Sequence, residues 1–344
     1  MKTLSWNCRG LGNPRTVQDL CHMVEDKKPS VVFLMETKLR KTKAESLRRR
    51  LKFEGCMVVE AVGLKGGLIM MWDHMIEVEV ENFSVWHISV WIKEPECAER
   101  WLLTGFYGQP DSSLREATWS LLSSLKPQSD RGWCVLGDFN EILAHDEKFG
   151  GKQRPERQMV RFREVLEEGG LFDLGWRGDK FTWSNKHEDE TFTKERLDRA
   201  VANSKWMDNH TEGWVEMLVA RCSDHRPILL NKSLRVGLGG RYKKLFRFET
   251  SWALDGNCEE IVKTVWKEVN RDGIPTMEIL HKLAKIEGAL SQWSKLMVTD
   301  QKKILAEKTA QLRRLQEQKD SHNTAAIKDL QKELGVMLAK EDLK

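Results

Sequence analysis

Two short runs, Gly137-Asp138-Phe139-Asn140 and Ser223-Asp224-His225, hold residue types that phosphate-ester hydrolysis needs. More polar residues stand where apolar runs stop: Asn7 after Leu4-Ser5-Trp6, Glu36 after Val31–Met35, and Tyr107 after Leu102–Phe106, while Asp198 lies within Arg196-Leu197-Asp198-Arg199. Glu36 and neighbouring carboxylate or amide oxygens are hard ligands, suited to Mg²⁺ or Mn²⁺ rather than zinc. A metal held there neutralises a phosphate and stabilises the leaving oxygen. His225 near Asp198 makes a charge-paired imidazole, able to handle a proton or hold a phosphoryl oxygen. Asp138 suits the orientation or deprotonation of a water. Asn7, Asn140 and Tyr107 suit donation of hydrogen bonds to phosphate oxygens as charge develops.

Each residue also has a plainer reading. Gly-Asp is a common turn pair, Glu36-Thr37 can open a helix with a favourable acidic residue, and Tyr107 can be packing with its hydroxyl satisfied. A specified tetrapeptide arises in a chain of this length about 0.2% of the time and a tripeptide about 4%. The joint occurrence of both, in order and at strand ends, argues against the plainer readings.

These residues need rigid elements to hold them, and strand ends supply such positions in layered α/β proteins. The hydrophobic pattern predicts strands at Thr3–Asn7, Val31–Met35, Cys56–Val62, Gly67–Trp72, Ile76–Val80, Val85–Ile92, Trp101–Tyr107, Trp133–Leu136, Phe181–Ser184, Arg196–Val201, Trp214–Val219 and Pro227–Leu230. It predicts helices at Pro14–Lys27, Lys41–Lys52, Leu114–Leu125 and Glu156–Glu168. Many adjacent strands mixed with helices imply two sheets packed face to face and covered by helices. Beyond about residue 232 the character changes: a glycine-rich polar stretch reads as a linker, and helical periodicity follows. Val262, Val265, Trp266 and Val269 share one face, as do Leu280, Leu283, Leu290 and Met297. The seam Ile327, Leu330, Leu334 and Met337 suits a paired or coiled helix, and so self-association.

The chain has 344 residues, enough for one large core or two domains, and a formal net charge of +4, which permits a nucleic-acid partner without demanding one. Seven cysteines without a Cys-x-x-Cys pair argue against a disulfide framework or a zinc site and fit a reducing compartment. The N-terminal residues lack an apolar signal core, and no apolar run approaches the ~20 residues of a membrane helix. The expectation is a soluble, non-secreted protein with no membrane partner.

Taken together, Trp6-Asn7, Glu36-Thr37, Gly105-Phe106-Tyr107-Gly108, Gly137–Asn140, Arg196–Arg199 and Ser223–His225 resemble the endonuclease/exonuclease/phosphatase superfamily. The segments Trp6–Gly12 and Phe181–Asn185, and downstream Phe246–Glu249, Trp252 and Trp293-Ser294, are similar to the endonuclease region of plant non-LTR (LINE-type) retrotransposons. The fold this implies is a four-layered α/β sandwich over residues 1–232, then a linker at 233–245 and a helical region at 246–344. The implied activity is a Mg²⁺-dependent DNA endonuclease, nicking one strand to leave a 3′-hydroxyl. The alternatives are an abasic-site repair endonuclease and a catalytically idle transposon remnant acting through binding. A phosphoinositide or other small-molecule phosphatase ranks lower, because the Phe181–Asp198 region is unlike the phosphatase pattern.

By position, the resemblance implies Glu36 as principal metal ligand with Asn7 and Asp224 in support. Asp138 and Asn140 would align water and phosphate, Asp198 would orient His225, and Tyr107 would touch the phosphate. Thr182 matches a DNA-contacting position. Arg9, Arg15 and Lys38 follow catalytic strand ends and are expected at phosphates. A DNA substrate implies a nuclear location. No paired-aspartate reverse transcriptase motif follows, so the expected activity is nicking without copying.

Overall fold

The computed structural model describes residues 1–61, 63, 66–95, 97, 99–210, 213–232, 256–267, 275–317 and 323–342. The expected linker at 233–245, Phe246–Glu249, Trp252 and Val269 lie outside these.

Two six-stranded mixed sheets face each other. The first runs, in spatial order, Trp214–Met217, Ile228–Asn231, Lys2–Asn7, Val31–Met35, Leu68–Trp72 and Gly55–Val59. The second runs Leu171–Asp173, Asp198–Asn203, Trp133–Asp138, Trp101–Tyr107, His87–Lys93 and Glu77–Phe83. Each sheet contains one parallel pair at its middle: Lys2–Asn7 beside Val31–Met35, and Trp101–Tyr107 beside Trp133–Asp138. Parallel neighbours end at the same edge. The registers Asn7 opposite Met35 and Tyr107 opposite Asp138 therefore place four polar strand ends at one end of the sandwich.

The layering follows from strand periodicity. Side chains alternate between faces, and Val31–Met35 is apolar on both. Phe33 and Met35 join the core between the sheets, with Leu103, Leu136, Val90 and Ala200. Val32 and Leu34 face outward onto Leu20, Met23, Leu47 and Leu51 of helices Pro14–Lys27 and Lys41–Leu51. On the far side, Leu102, Trp133 and Val135 meet Trp119, Leu122, Phe162 and Val165 of helices Arg115–Ser124 and Glu156–Gly169. The result is the four-layered α/β sandwich that the resemblance implied. The helix at Pro14 starts where a capping side chain and a proline coincide: Asn13 Oδ1 accepts the Arg15 N–H at 3.0 Å.

Three local departures have physical causes. The strand expected at Arg196–Val201 is shifted: it runs Asp198–Asn203 in the second large sheet, and Arg196 and Leu197 separate it from Lys194–Glu195, which belongs to a small third sheet with Trp183–Ser184 and Lys148–Phe149. The ladder breaks because the Leu197 and Asp198 N–H groups both turn to the Thr182 hydroxyl. The strand expected at Ile76–Val80 extends to Phe83 as a sheet edge, with Glu77, Glu79 and Glu81 as charged protection. Leu171–Asp173 and helix Ser204–Asn209 are too short to register as a period.

The C-terminal helices Pro275–Glu317 and Thr324–Asp342 pack on the sandwich. Ile327, Leu330, Leu334 and Leu338 form one cluster with Leu305, Leu312 and Val219, with Met337 and Cys222 against it. The seam expected to support self-association is thus used inside the chain. Gln316 Nε2 and Gln331 Nε2 both donate to the Ala220 carbonyl, at 2.9 and 2.7 Å, and Thr324 Oγ1 donates to His187 O at 2.9 Å. Helix Gly256–Lys267 is less embedded: Val262 and Val265 are half-buried, and Trp266 is exposed with Lys282 Nζ 5.2 Å from its ring centre. On the other expected face Leu290 is buried and Leu283 exposed; the side chains of Leu280 and Met297 lie outside the described set.

Candidate active site

Three of the four strand ends are joined through one amide, and the fourth bonds to Glu36. Asn7 is fully buried, and its Nδ2 donates to Glu36 Oε1 at 2.9 Å and to Asp138 Oδ2 at 3.0 Å. Asn7 and Glu36 belong to the first sheet and Asp138 to the second, so this side chain spans the two. Tyr107 OH donates to the same Glu36 Oε1 at 3.0 Å. Burial, then the charge of Glu36, pushes the Tyr107 hydroxyl well above its ordinary pKa, so it acts as a donor.

From Asp138 the line continues to His225. Its Nε2 lies 3.7 Å from Asp138 Oδ2, too far for a hydrogen bond, while its Nδ1 is 2.9 Å from Asp198 Oδ2. All three side chains are buried. Burial opposes charge on the imidazole, but Asp198 and then Asp138 outweigh it and lift His225 to about 9. Burial raises Asp138 to about 6 against the pull of His225. The ring is therefore a buried cation between two carboxylates near neutral pH. It is held by its backbone as well: the His225 N–H donates to Ser223 Oγ at 3.1 Å, and Ser223 Oγ donates to Asn7 O at 2.9 Å.

The turn after Asp138 depends on close backbone approach. Asn140 takes a left-handed φ of 55°, its N–H returns to Asp138 Oδ1 at 2.9 Å, and its Nδ2 donates to Gly108 O at 2.8 Å. A Cβ at Gly108 would lie 2.3 Å from the Phe139 carbonyl oxygen, and one at Gly137 would lie 1.9 Å from that of Phe106. Glycine is required at both.

Asp224 sits on the open side. Its Oδ2 accepts from Trp183 Nε1 at 3.0 Å and its Oδ1 from Arg9 Nε at 3.0 Å. Burial opposes its charge, yet His225 and Arg9 hold its carboxyl below the ordinary range. Arg9 NH1 also reaches Glu36, 3.2 Å from Oε1. Lys38 is exposed beside Gly10, at a left-handed φ of 54°.

Of the residues singled out in the sequence, Asn7, Glu36, Tyr107, Asp138, Asn140, Asp198, Asp224, His225 and Arg9 are brought together here. Thr182 is not placed to contact DNA. It is completely buried, and its Oγ1 accepts the N–H groups of Leu197 and Asp198, both at 2.9 Å. It anchors the backbone of Asp198, the residue whose carboxylate holds His225. Arg196 and Arg199 are likewise buried and paired with Glu147 and Asp173. Sequence reasoning missed this ion network and the Trp183 bond to Asp224; the indole within Phe181-Thr182-Trp183-Ser184-Asn185, one of the segments that carry the resemblance, was the available signal.

The donor chemistry suits a hard divalent cation at Glu36, Asp224 and Asn7 Oδ1. These are oxygen donors, and Arg9 already places a positive charge between the two carboxylates. Asp138, Asp198 and His225 also offer atoms within 4.8 Å of one another. A cation there would have to displace the proton of an imidazole raised to about 9, so the Glu36 side is the better seat.

Strand-end carboxylates, a bridging amide and a charge-paired histidine meet at one end of a four-layered sandwich, an arrangement suited to phosphate-ester hydrolysis. The chain belongs to the endonuclease/exonuclease/phosphatase family, which it matches over residues 4–225. Among solved structures it is similar to the endonuclease domain of TRAS1, a telomere-specific non-LTR retrotransposon, at 18% identity and TM-score 0.50, covering 68% of this chain and 99% of that one. It is also similar to an AP endonuclease from Archaeoglobus fulgidus (14%, TM-score 0.54, 68% and 100% covered) and to AP endonuclease LMAP from Leishmania major (16%, TM-score 0.51, 67% and 86% covered). Comparison with curated proteins gave no match. Among the described residues no helix is long and apolar enough to cross a membrane.

Proposed function

We propose that this protein is a divalent-metal-dependent DNA endonuclease that nicks one strand, leaving a 3′-hydroxyl, and that it derives from a LINE-type retrotransposon. The observation that carries the reading is the continuous line Tyr107–Glu36–Asn7–Asp138–His225–Asp198 across both sheets. Glu36, Asp224 and Asn7 would hold Mg²⁺ or Mn²⁺, which supplies charge neutralisation for the leaving 3′-oxygen. Asp138, raised to about 6, is poised to take a proton from the attacking water. His225, protonated at neutral pH, donates from Nε2 to a phosphoryl oxygen as negative charge grows there. Asp198 fixes the ring and keeps it charged. Asn140 shapes the turn that presents Asp138. Water attacks phosphorus and passes its proton to Asp138, the bond to the 3′-oxygen breaks, and that oxygen takes a proton from solvent, leaving a 3′-hydroxyl and a 5′-phosphate.

Residues 1–232 form the proposed catalytic domain, with the C-terminal helices braced against its Ala220 loop. Arg9 and Lys38, exposed at the mouth, are the proposed phosphate contacts, and a chromosomal DNA substrate implies nuclear location. Conversion of supercoiled plasmid to open circle, with and without Mg²⁺, tests the reading. Glu36→Ala and His225→Ala are each expected to lower the rate by about 10²-fold or more. Equal rates in wild type and both variants would overturn it. The AP endonucleases among the similar structures favour one second reading, an abasic-site endonuclease. Preferential cleavage of a duplex carrying one abasic analogue, over intact duplex, would select it.

A further inference from the structure

Arg9 reaches all three residues of the proposed metal seat. Its Nε donates to Asp224 Oδ1 at 3.0 Å and its NH1 to Glu36 Oε2 at 3.3 Å. Its backbone N–H donates to Asn7 Oδ1 at 3.3 Å. Glu36 Oε1, also 3.2 Å from Arg9 NH1, accepts from Asn7 and Tyr107, and Asp224 Oδ2 accepts from Trp183. The guanidinium is thus the positive charge that bridges Glu36 and Asp224. It stands there from a left-handed backbone, φ 55°, which a non-glycine residue adopts at a cost. Its side chain is 45% exposed, so it has an open path away from the site.

The guanidinium covers Asp224 Oδ1 and Glu36 Oε2, the carboxylate oxygens that a divalent cation would take, and the two cations cannot occupy them at once. We propose that Arg9 is a tethered counter-ion of the metal seat, which must swing off Glu36 and Asp224 before they accept a divalent cation. The inference rests on the metal-dependent reading above and adds a regulation to it. In the free protein, metal affinity is reduced by competition with Arg9. An anion that attracts the guanidinium, above all a DNA phosphate, releases the seat. DNA and metal then bind with positive coupling, each strengthening the other by the same factor.

The test is Mn²⁺ affinity, read from the electron paramagnetic resonance signal of the free ion, so that turnover does not enter. Arg9→Gln is expected to bind Mn²⁺ about tenfold or more tightly than wild type, within the range typical of such couplings. Arg9→Lys, which keeps the charge but not the bridging fork, is expected to fall between them. A short duplex is expected to tighten Mn²⁺ binding in wild type and leave Arg9→Gln unchanged. Equal or weaker Mn²⁺ binding in both variants overturns the proposal while leaving the metal-dependent reading intact. If wild type and variants all fail to bind Mn²⁺, with and without DNA, both fall together.

Discussion

Replacing Thr182 by valine removes one hydroxyl and nothing else of the side-chain shape. That oxygen accepts two backbone N–H groups, those of Leu197 and Asp198, each at 2.9 Å in a site with no solvent exposure. An orphaned buried donor costs roughly 1–3 kcal/mol, so two cost about 2–6, and local relaxation favours the lower end, about 2–3 kcal/mol. Since valine fills the same volume, the cavity contribution is near zero. Urea unfolding followed by tryptophan fluorescence is the assay. With a slope near 2.5 kcal/mol per molar, the midpoint is expected to fall by about 1 M. The loss also reaches chemistry, because the Asp198 backbone is what aims the carboxylate at His225 Nδ1, 2.9 Å away. The nicking rate is expected to drop with DNA affinity unchanged. An unchanged midpoint combined with weaker DNA binding would refute this reasoning and restore Thr182 to the DNA surface.

Three further outcomes follow from the site and its supports. Activity is expected to rise as Asp138 ionises near pH 6 and to fall as His225 loses its proton near pH 9, a bell measurable by plasmid nicking in buffers of constant ionic strength. Because the folded pKa of His225 lies above its ordinary 6.5, its stabilisation is complete below pH 6.5 and is lost as pH rises through about 9; Asp198→Asn is expected to move the alkaline limb to lower pH. Gly137→Ala forces a Cβ to within 1.9 Å of the Phe106 carbonyl at a φ of 148°, so thermal melting is expected to show a loss of about 3 kcal/mol or more, roughly 10 °C. Leu334→Ala empties a fully buried position in the helix–sandwich seam; it is expected to cost about 2–5 kcal/mol and to speed amide hydrogen exchange in the helices and the Ala220 loop together, whereas exchange confined to the helices would show that Gln331 does not brace that loop.

The hydrophobic pattern along the chain carried the longer elements and the residue types at their ends. Val31–Met35 is apolar at every position, and both faces of that strand are covered by other layers. Asn13-Pro14 carries the start signal of the first helix, and hydrogen bonding realises it. Such features are readable because they depend on near neighbours and on a fixed repeat. The motifs also announced which polar residues stand at strand ends, and the two parallel pairs then place those ends at one edge.

Tertiary structure alone decided which atoms meet. Thr182 bonds to residues 15 and 16 positions away, and its neighbours in the chain carry no sign that it faces inward. The leucine seam of the last helices reads equally well as a partner-binding face or as packing on its own chain. Val219 and the Ala220 carbonyl, which lies 111 residues before Gln331, determined that it is the latter. Arg9 was legible as a basic residue following a strand end, but its hold on Glu36 and Asp224 spans 27 and 215 residues. Charge and hydrogen-bonding capacity are properties of a residue; the partner that satisfies them is a property of the fold, because a buried donor pairs with whatever acceptor the packed layers bring within reach.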